Sequence, residues 1–520
     1  MSDDGFVPVD LTHRQRLIVI FGLMTGLMLA ALDGTIVATA LPTIVGEFGG
    51  IDQLSWVVTA YLVASTTSMP LFGKISDLYG RKKVYQSAIV IFLVASVLCG
   101  ASQSLGQLIA FRALQGVGAG GLMALSFTIV GDIVPPRERG RYTGYLTGTF
   151  ALASVIGPLI GGFLTDQWSW RWVFYVNVPI GIVAFFVTGI VLRLPVRRTE
   201  HSLDIAGSLL LVTSILSCLL ATVWASEEFG WASPTTIGLY LLALVAVAAF
   251  ILQEQRAAEP VLPLRMFERP GFAAAVGVSF LTGVAMFGAI VYLPLYFQSV
   301  QGKAAANAGL LLLPLMMSMM AGSLTAGRLT SITGRYKVFP IVGTLVAALG
   351  LYAMSTMDPT TPRVVSSLWM ILFGAGIGIA MPVLTLAVQN TVEMRDLGAG
   401  TASVNFFRTL GGTLGVAAFG TLLNRQLVSN LADGLVGLEV PSGVAPESLA
   451  RSPKVIAELA EPLKSAIRFA LSDAITAIFF AAVFVMLAGF VVSLFMREVE
   501  LGQTLVDQSE SDPPVVSEQT

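Results

Sequence analysis

The chain has 520 residues, 55% of them hydrophobic and 12% charged, with a mean hydropathy of +0.79 and a formal net charge of −2. Soluble domains carry about 25% charged residues, so this composition excludes a soluble globular protein and indicates a polytopic membrane protein. The charges fall in short clusters between apolar runs and form no basic patch, which leaves no basis for nucleic-acid binding. Cys99 and Cys218 stand in separate apolar runs without CxxC spacing, so neither a disulfide framework nor a metal site is expected.

A bilayer core takes about 20 apolar residues per helix. Runs of that length predict fourteen spans, at 17–42, 54–73, 84–103, 106–132, 143–165, 172–194, 205–225, 233–253, 271–297, 304–327, 338–357, 364–390, 398–423 and 472–496. Met1 to Leu11 is acidic where a signal peptide would be basic, so span 1 is expected to stay in the mature protein. No charge interrupts Val84 to Phe111, and the turn between spans 3 and 4 is placed near 103–106. With the N-terminus inside, 20 Lys and Arg fall on the cytoplasmic side and 8 outside, while Arg112 and Arg408 lie within spans. This asymmetry fits the positive-inside rule, and five of the eight outside belong to one loop, 424–471, whose length exempts it from tight counting. An even number of spans leaves both termini cytoplasmic.

The chain repeats itself. Gly73 to Val84 (GKISDLYGRKKV) recurs 254 residues later as Gly327 to Val338 (GRLTSITGRYKV), each copy ending an even-numbered span. The offset of eight helices implies two six-helix halves with spans 7 and 8 inserted, and parallel repeats of that kind imply a central site between the halves. The expected organisation is a cytoplasmic N-terminus at 1–16, an N-terminal half at 17–194, a linker with two inserted helices at 195–270, a C-terminal half at 271–496 with the extracellular loop 424–471, and a disordered tail at 497–520.

Asp33 carries the most chemistry. It stands inside span 1 in Leu32-Asp33-Gly34-Thr35-Ile36-Val37, and a carboxylate there costs roughly 2.5–3.5 kcal/mol on insertion scales, which by default marks an ion or substrate pathway. If it takes and releases a proton it can drive transport; locked in a permanent salt bridge it would be structural. Arg112 in span 4 stays charged and cannot carry the proton itself, but can bias a nearby carboxylate or act as a polar clamp. In the loop after span 2, Gly73 and Gly80 allow a tight turn, Asp77 can face the positive N-terminus of a neighbouring helix, and Arg81 can pair with a carboxylate, for which Asp132 is the candidate. Ser331 replaces the acid in the second copy, so a charged latch is expected to be lost there. In span 5, Ala153, Gly157 and Gly161 present small residues at four-residue spacing, followed by Gly162, and Pro158 is expected to bend the helix.

Weaker signals follow along the chain. Trp168-Ser169-Trp170-Arg171-Trp172 reads as an interfacial aromatic belt. Trp56, Tyr61, Tyr292, Tyr296 and Phe297 can stack on a cation or serve as packing. Met316, Met317, Met319 and Met320 suit a site for varied apolar shapes, although four methionines in five residues cannot share one cavity. Asn405 and Arg408 in span 13 should face a cavity or carbonyls. Candidate cavity residues are Trp56, Tyr61, Gln115, Tyr292, Asn405 and Arg408. The outer loop, with Pro441, Pro446, Pro453 and Pro462 and a short helical stretch at 454–460, can be a gate, a hairpin or a linker.

Taken together, these motifs resemble those of the major facilitator superfamily, in its fourteen-helix drug:proton antiporter branch of EmrB/QacA type. Gly73 to Lys83 is similar to the superfamily's G-x-x-x-D-x-x-G-R-K/R signature, Arg112 to Gly120 to the branch's buried-arginine motif, and Leu32 to Pro42 to L-D-x-T-I-V-x-x-A-L-P, with Ala38-Thr39 in place of the usual polar pair. Ala153 to Gly162 resembles the antiporter motif G-x-x-x-G-P-x-x-G-G, with Ala153 for its first glycine. The resemblance implies the major facilitator fold, a latch at Gly73, Asp77, Gly80, Arg81 and Asp132 that favours an outward-open state, proton coupling at Asp33 and Arg112, and exchange marked by Gly157, Pro158, Gly161 and Gly162. The expected function is proton-coupled multidrug efflux of small amphipathic or cationic organic compounds, with antibiotic resistance as a consequence, by a monomer in the cell membrane. No enzyme activity, cofactor or metal is expected: without a Walker sequence the proton gradient is the energy source. The rivals are a dedicated exporter of one endogenous lipid, siderophore or metabolite, an uptake symporter, which the span 5 motif disfavours, and a membrane enzyme or sensor, for which no catalytic set is present.

Overall fold

The computed structural model describes residues 13–48, 54–192, 204–227, 229–257, 260–302, 311–393, 396–435, 456 and 459–498. Among them all regular structure is helical, as it must be where no water is present to satisfy open backbone groups. The long helices are α1 (His13–Phe48), α2 (Leu54–Tyr79), α3 (Arg81–Ala101), α4 (Leu105–Ile133), α5 (Pro136–Gln167), α6 (Asn177–Val191, preceded by the turn Trp172–Tyr175), α7 (Ile205–Glu227), α8 (Pro234–Glu254), α9 (Pro270–Leu295), α10 (Leu313–Thr333), α11 (Val338–Met354), α12 (Arg363–Gln389), α13 (Leu397–Gly434) and α14 (Leu463–Leu494). Among the described residues ten segments are long and apolar enough to cross a membrane, and α11 is a shorter apolar helix. The less apolar α2, α5 and α10 bury one side between helices, α2 on α4 and α13 and α5 on α1 and α10, while Leu159 and Phe163 of α5 and Met317 and Leu329 of α10 stay exposed.

Packing sorts the helices into α1–α6 and α9–α14, with α7 and α8 paired against each other and docked on α2 and α13. Leu241, Leu244, Val245 and Leu252 of α8 are exposed, the lipid-facing pattern of an outer helix. The two groups of six share an apolar cluster that joins Val63, Met69 and Ala124 to Ala380, Leu384, Ala402 and Phe406, with Leu211 and Leu219 of α7 on its edge.

Several boundaries differ from those read from hydropathy. α13 continues to Gly434 and α14 starts at Leu463, so the predicted loop 424–471 loses helical residues at both ends. Leu427, Leu431, Ile467 and Leu471 are buried there, and Asn430 Nδ2 donates to the Ala470 carbonyl at 3.2 Å. Polar residues hid this pair because only one face of each extension is apolar. The stretch 454–460 and the tail 499–520 lie largely outside the described residues, as does the N-terminus to residue 12. α10 ends at Thr333 rather than 327, and a π-helical turn, Tyr296–Val300, extends α9. α2 likewise runs through Gly73 to Tyr79, so the tight turn is made by Gly80 alone, at φ 89. Gly334 takes the same role in the second copy, at φ 69.

The other two glycines of the repeat build the seam between the halves. A Cβ at Gly73 would lie 2.9 Å from the Gly398 carbonyl oxygen of α13, and one at Gly327 would lie 2.2 Å from the Gly140 carbonyl oxygen of α5. A Cβ on Gly144 would lie 3.1 Å from the Ser323 carbonyl oxygen and one on Gly148 3.1 Å from the Met320 side chain, so α5 and α10 touch along a run of small residues. These contacts lie on the face where α1 begins and the chain leaves α14: Arg16 pairs with Glu138 at 3.8 Å, and Glu498 accepts from the Tyr336 amide at 2.8 Å. On this terminal face the halves are closed against each other.

Gly327→Ala sets a methyl against backbone rather than against a yielding side chain, so the closed face should open while each half still folds. Spin labels on the exposed Arg141 and Leu329 positions should then report a longer α5–α10 distance; an unchanged distance would show that the seam does not depend on this approach.

Candidate functional site

Asp33 is fully buried at the centre of the first six helices, and the groups around it come from several separate stretches of chain. Its Oδ2 accepts from Arg112 of α4 in a short ion pair whose side chains are 1% and 0% exposed. Its Oδ1 accepts from Gln115 Nε2 at 2.8 Å and from Asn177 Nδ2, at the start of α6, at 2.9 Å. Arg112 also donates to Gln115 Oε1 at 2.7 Å and to the Val57 carbonyl at 3.2 Å, and its guanidinium lies 4.2 Å from the ring centroid of Tyr61. Ser96 Oγ accepts from Gln115 and Asn177 and donates to the Phe174 carbonyl at 2.9 Å. The spacing of Arg112 and Gln115, three residues apart on one helix, places both on the same face. A buried carboxylate survives here because cation and amide donors replace its lost water.

One residue after the neighbouring glycine, Thr35 Oγ1 donates to the Ala153 carbonyl of α5 at 3.2 Å, and a Cβ on Gly157 would lie 2.0 Å from that same oxygen. Ala153 and Gly157 are therefore the small surface on which α1 seats beside Asp33. Gly162 faces open space. The side chain of Pro158 lies outside the described residues.

On the terminal face, Asp77 accepts from the amides of Gly398 and Ala399, at 3.2 and 3.1 Å, at the N-terminus of α13. Arg81 bridges Asp77 to Asp132, donating from Nε to Asp132 Oδ2 at 2.7 Å. The second copy holds the halves as well, contrary to the reading from Ser331. Arg137 of α5 donates to the carbonyls of Ser331 and Ile332, at 2.8 and 3.0 Å, at the C-terminus of α10. The sign is reversed, cation on helix C-terminus in place of anion on helix N-terminus, and each suits its end of the helix dipole.

A family model for the Major Facilitator Superfamily matches residues 23–416. The chain belongs to this superfamily. It is 40% identical, over 94% of its length and 71% of the relative's, to an uncharacterized MFS-type transporter of Mycobacterium tuberculosis. It is 35% identical to the multidrug transporter protein MdtP of Bacillus subtilis, over 96% of both chains. The solved structure of the proton:xylose symporter XylE superposes with a TM-score of 0.63 at 14% identity, covering 96% of this chain and 99% of that one, which speaks for the fold alone. The fold and the family are those of transporters embedded in a bilayer.

As a major facilitator protein the chain departs from the cavity expected from sequence. Tyr61 and Gln115 belong to the Asp33 cluster, not to an open cleft. Trp56 stacks edge-on against Trp224 of the inserted α7, at 5.6 Å, and Tyr292 is buried with its hydroxyl on the Val416 carbonyl at 2.9 Å. Asn405 is enclosed and accepts from Arg408, whose guanidinium meets no carboxylate among the described residues. Met316 and Met319 are core, Met317 is exposed and Met320 lies on the seam. The aromatic belt splits: Trp168 and Trp172 are exposed, while Trp170 is buried and donates to Glu47 at 2.6 Å, tying the far end of α1 to the turn before α6. Asn177, Ser96 and Arg137 were not legible as site residues, since single polar residues in apolar or terminal positions carry no motif.

Asp77→Ala removes the acceptor for two amides, a cap worth about 1 kcal/mol, while Arg81 keeps Asp132. The closed form should lose about fivefold in population relative to the open one. Maleimide labelling of Ala402→Cys, in a chain with Cys99 and Cys218 replaced, should accelerate by that factor; an unchanged rate would remove Asp77 from the closure.

Proposed function

We propose that this transporter is a proton-coupled exporter of the fourteen-helix EmrB/QacA type, resident in the cell membrane as a monomer with both termini cytoplasmic. It extrudes small amphipathic or cationic organic compounds in exchange for inward protons, with drug and antibiotic resistance as the outcome. The names of the Bacillus subtilis relatives, a multidrug transporter protein and multidrug resistance protein 3, support the substrate class. The observation that carries the proposal is Asp33, a carboxylate buried at membrane depth and held by partners that stay satisfied without it. When Asp33 is protonated, Arg112 keeps Gln115 Oε1, the Val57 carbonyl and the face of Tyr61, so the cation is not stranded.

The route from proton to seam is short. Charged Asp33 fastens α1 to α4 and α6; neutral Asp33 releases the strongest of those bonds. α1 rides on α5 through Thr35 and Gly157, and α5 forms the seam with α10. A proton inside the first half thus biases closure between halves without touching substrate. Coupling requires that proton and substrate favour different states, because a ligand that binds both equally shifts nothing.

In inverted vesicles under an imposed pH gradient, Asp33→Asn should abolish gradient-driven dye efflux while insertion and folding survive. Unchanged efflux would move the coupling site elsewhere. Glu393 and Asp396, ion-paired with Arg269 and Arg265 at 3.0 and 2.6 Å, are the next carboxylates to test. Gly157→Ala should slow maximal efflux by about tenfold, the cost of overpacking a close helix contact. Thr35→Gly, which deletes the obstructing atoms, should restore much of the rate if the loss in Gly157→Ala comes from crowding between α1 and α5.

A further inference from the structure

One oxygen in the Asp33 cluster is idle. Asn177 is fully buried and its Nδ2 serves Asp33 Oδ1 at 2.9 Å and Ser96 Oγ at 3.0 Å, yet its own Oδ1 is buried without a hydrogen-bond partner. We infer that Asn177 is the positioning residue that reads the protonation state of Asp33, donating to the carboxylate and turning its amide to accept from the carboxylic acid. The inference rests on the proton-exchange reading of Asp33.

The donor and acceptor inventory leads to this residue. An ionised carboxylate only accepts, and around Asp33 it meets donors alone: Arg112, Gln115 Nε2 and Asn177 Nδ2. A protonated Asp33 adds one O–H donor, which in a fully buried site must find an acceptor or cost about 1–3 kcal/mol. Each other group facing Asp33 is already engaged. On α4, Gln115 Oε1 accepts from Arg112 at 2.7 Å and from the Cys99 thiol of α3 at 3.5 Å. On α3, Ser96 Oγ accepts from two amides and donates to Phe174. On α2, the Val57 carbonyl takes Arg112, and the Tyr61 hydroxyl gives its proton to the Ala30 carbonyl at 2.9 Å. Arg112 has no acceptor at all. An amide can present either a donor or an acceptor from one position, by rotation about its last side-chain bond, and Asn177 holds the unused half of such a pair.

The test compares Asn177→Leu, which can neither donate nor accept, with Asn177→Ser, whose hydroxyl does both. In full-length protein reconstituted in proteoliposomes, the readouts are the pH midpoint of substrate-triggered proton release and the KM for a fluorescent dye. Loss of a hydrogen bond to the carboxylate should move the midpoint of Asn177→Leu to higher pH by about one unit, with KM changed less than about twofold, while Asn177→Ser stays within about 0.3 unit of the unsubstituted protein. If Asn177→Leu does not insert, infrared difference spectra of asparagine-labelled, unsubstituted protein between acid and alkaline pH should show an amide carbonyl shift that Asp33→Asn abolishes. If Asp33→Asn abolishes coupling but the midpoint of Asn177→Leu does not move, or the carbonyl band is still, Asn177 is packing and the inference alone falls. If Asp33→Asn leaves coupling intact, the proton-exchange reading falls first and takes this inference with it.

Discussion

The pairing of Asp33 with Arg112 in a fully buried site is the interaction on which the N-terminal half depends. Two charges removed from water at this depth are expensive separately, and their mutual attraction offsets that cost only with good geometry and further hydrogen bonds. The surrounding residues supply both. Gln115 and Asn177 saturate one carboxylate oxygen, and Tyr61 lies against the guanidinium, so helices α1, α2, α3, α4 and α6 converge on one polar point inside an apolar bundle. Such a point fixes the rotation and depth of every helix that contributes to it, because sliding any one of them would strand a charge.

The seam between halves follows a different rule. Across it, side chains meet backbone groups of the other half. Asp77 meets amides at the start of α13, Arg137 meets carbonyls at the end of α10, and Gln389 Nε2 reaches the Phe127 carbonyl at 3.0 Å. Glycines bring the backbones near enough for this to work. Bonds of this kind are individually modest, which suits a surface that must separate and close again with a small free-energy difference.

The two sites are joined by α5. One end of it carries Arg137 on the seam, and farther along the same helix Ala153 and Gly157 receive Thr35 of α1. A rigid helix touching both places gives the Asp33 cluster a mechanical route to the seam, and the duplicated glycine loops give each half an equivalent turn, at Gly80 and Gly334, about which its neighbouring helices are set.

Hydropathy and the repeated GKISDLYGRKKV pattern were enough to determine the helical class, the approximate spans, the inserted pair and the prominence of Asp33, Arg112, Asp77 and Arg81. Those features are local: an apolar run long enough for a bilayer, or a charge where none is tolerated, is visible without knowing its neighbours. Tertiary structure alone decided who meets whom. Asn177 lies 144 residues from Asp33, and Arg137 reaches a helix end 194 residues away. Tyr61 and Gln115 turned inward to the carboxylate, and the helical extensions of α13 and α14 buried one face of a segment that reads as loop. Hydrogen-bond partners across a bundle are set by helix rotation and packing distance, and neither quantity is written in the composition or spacing of a single span.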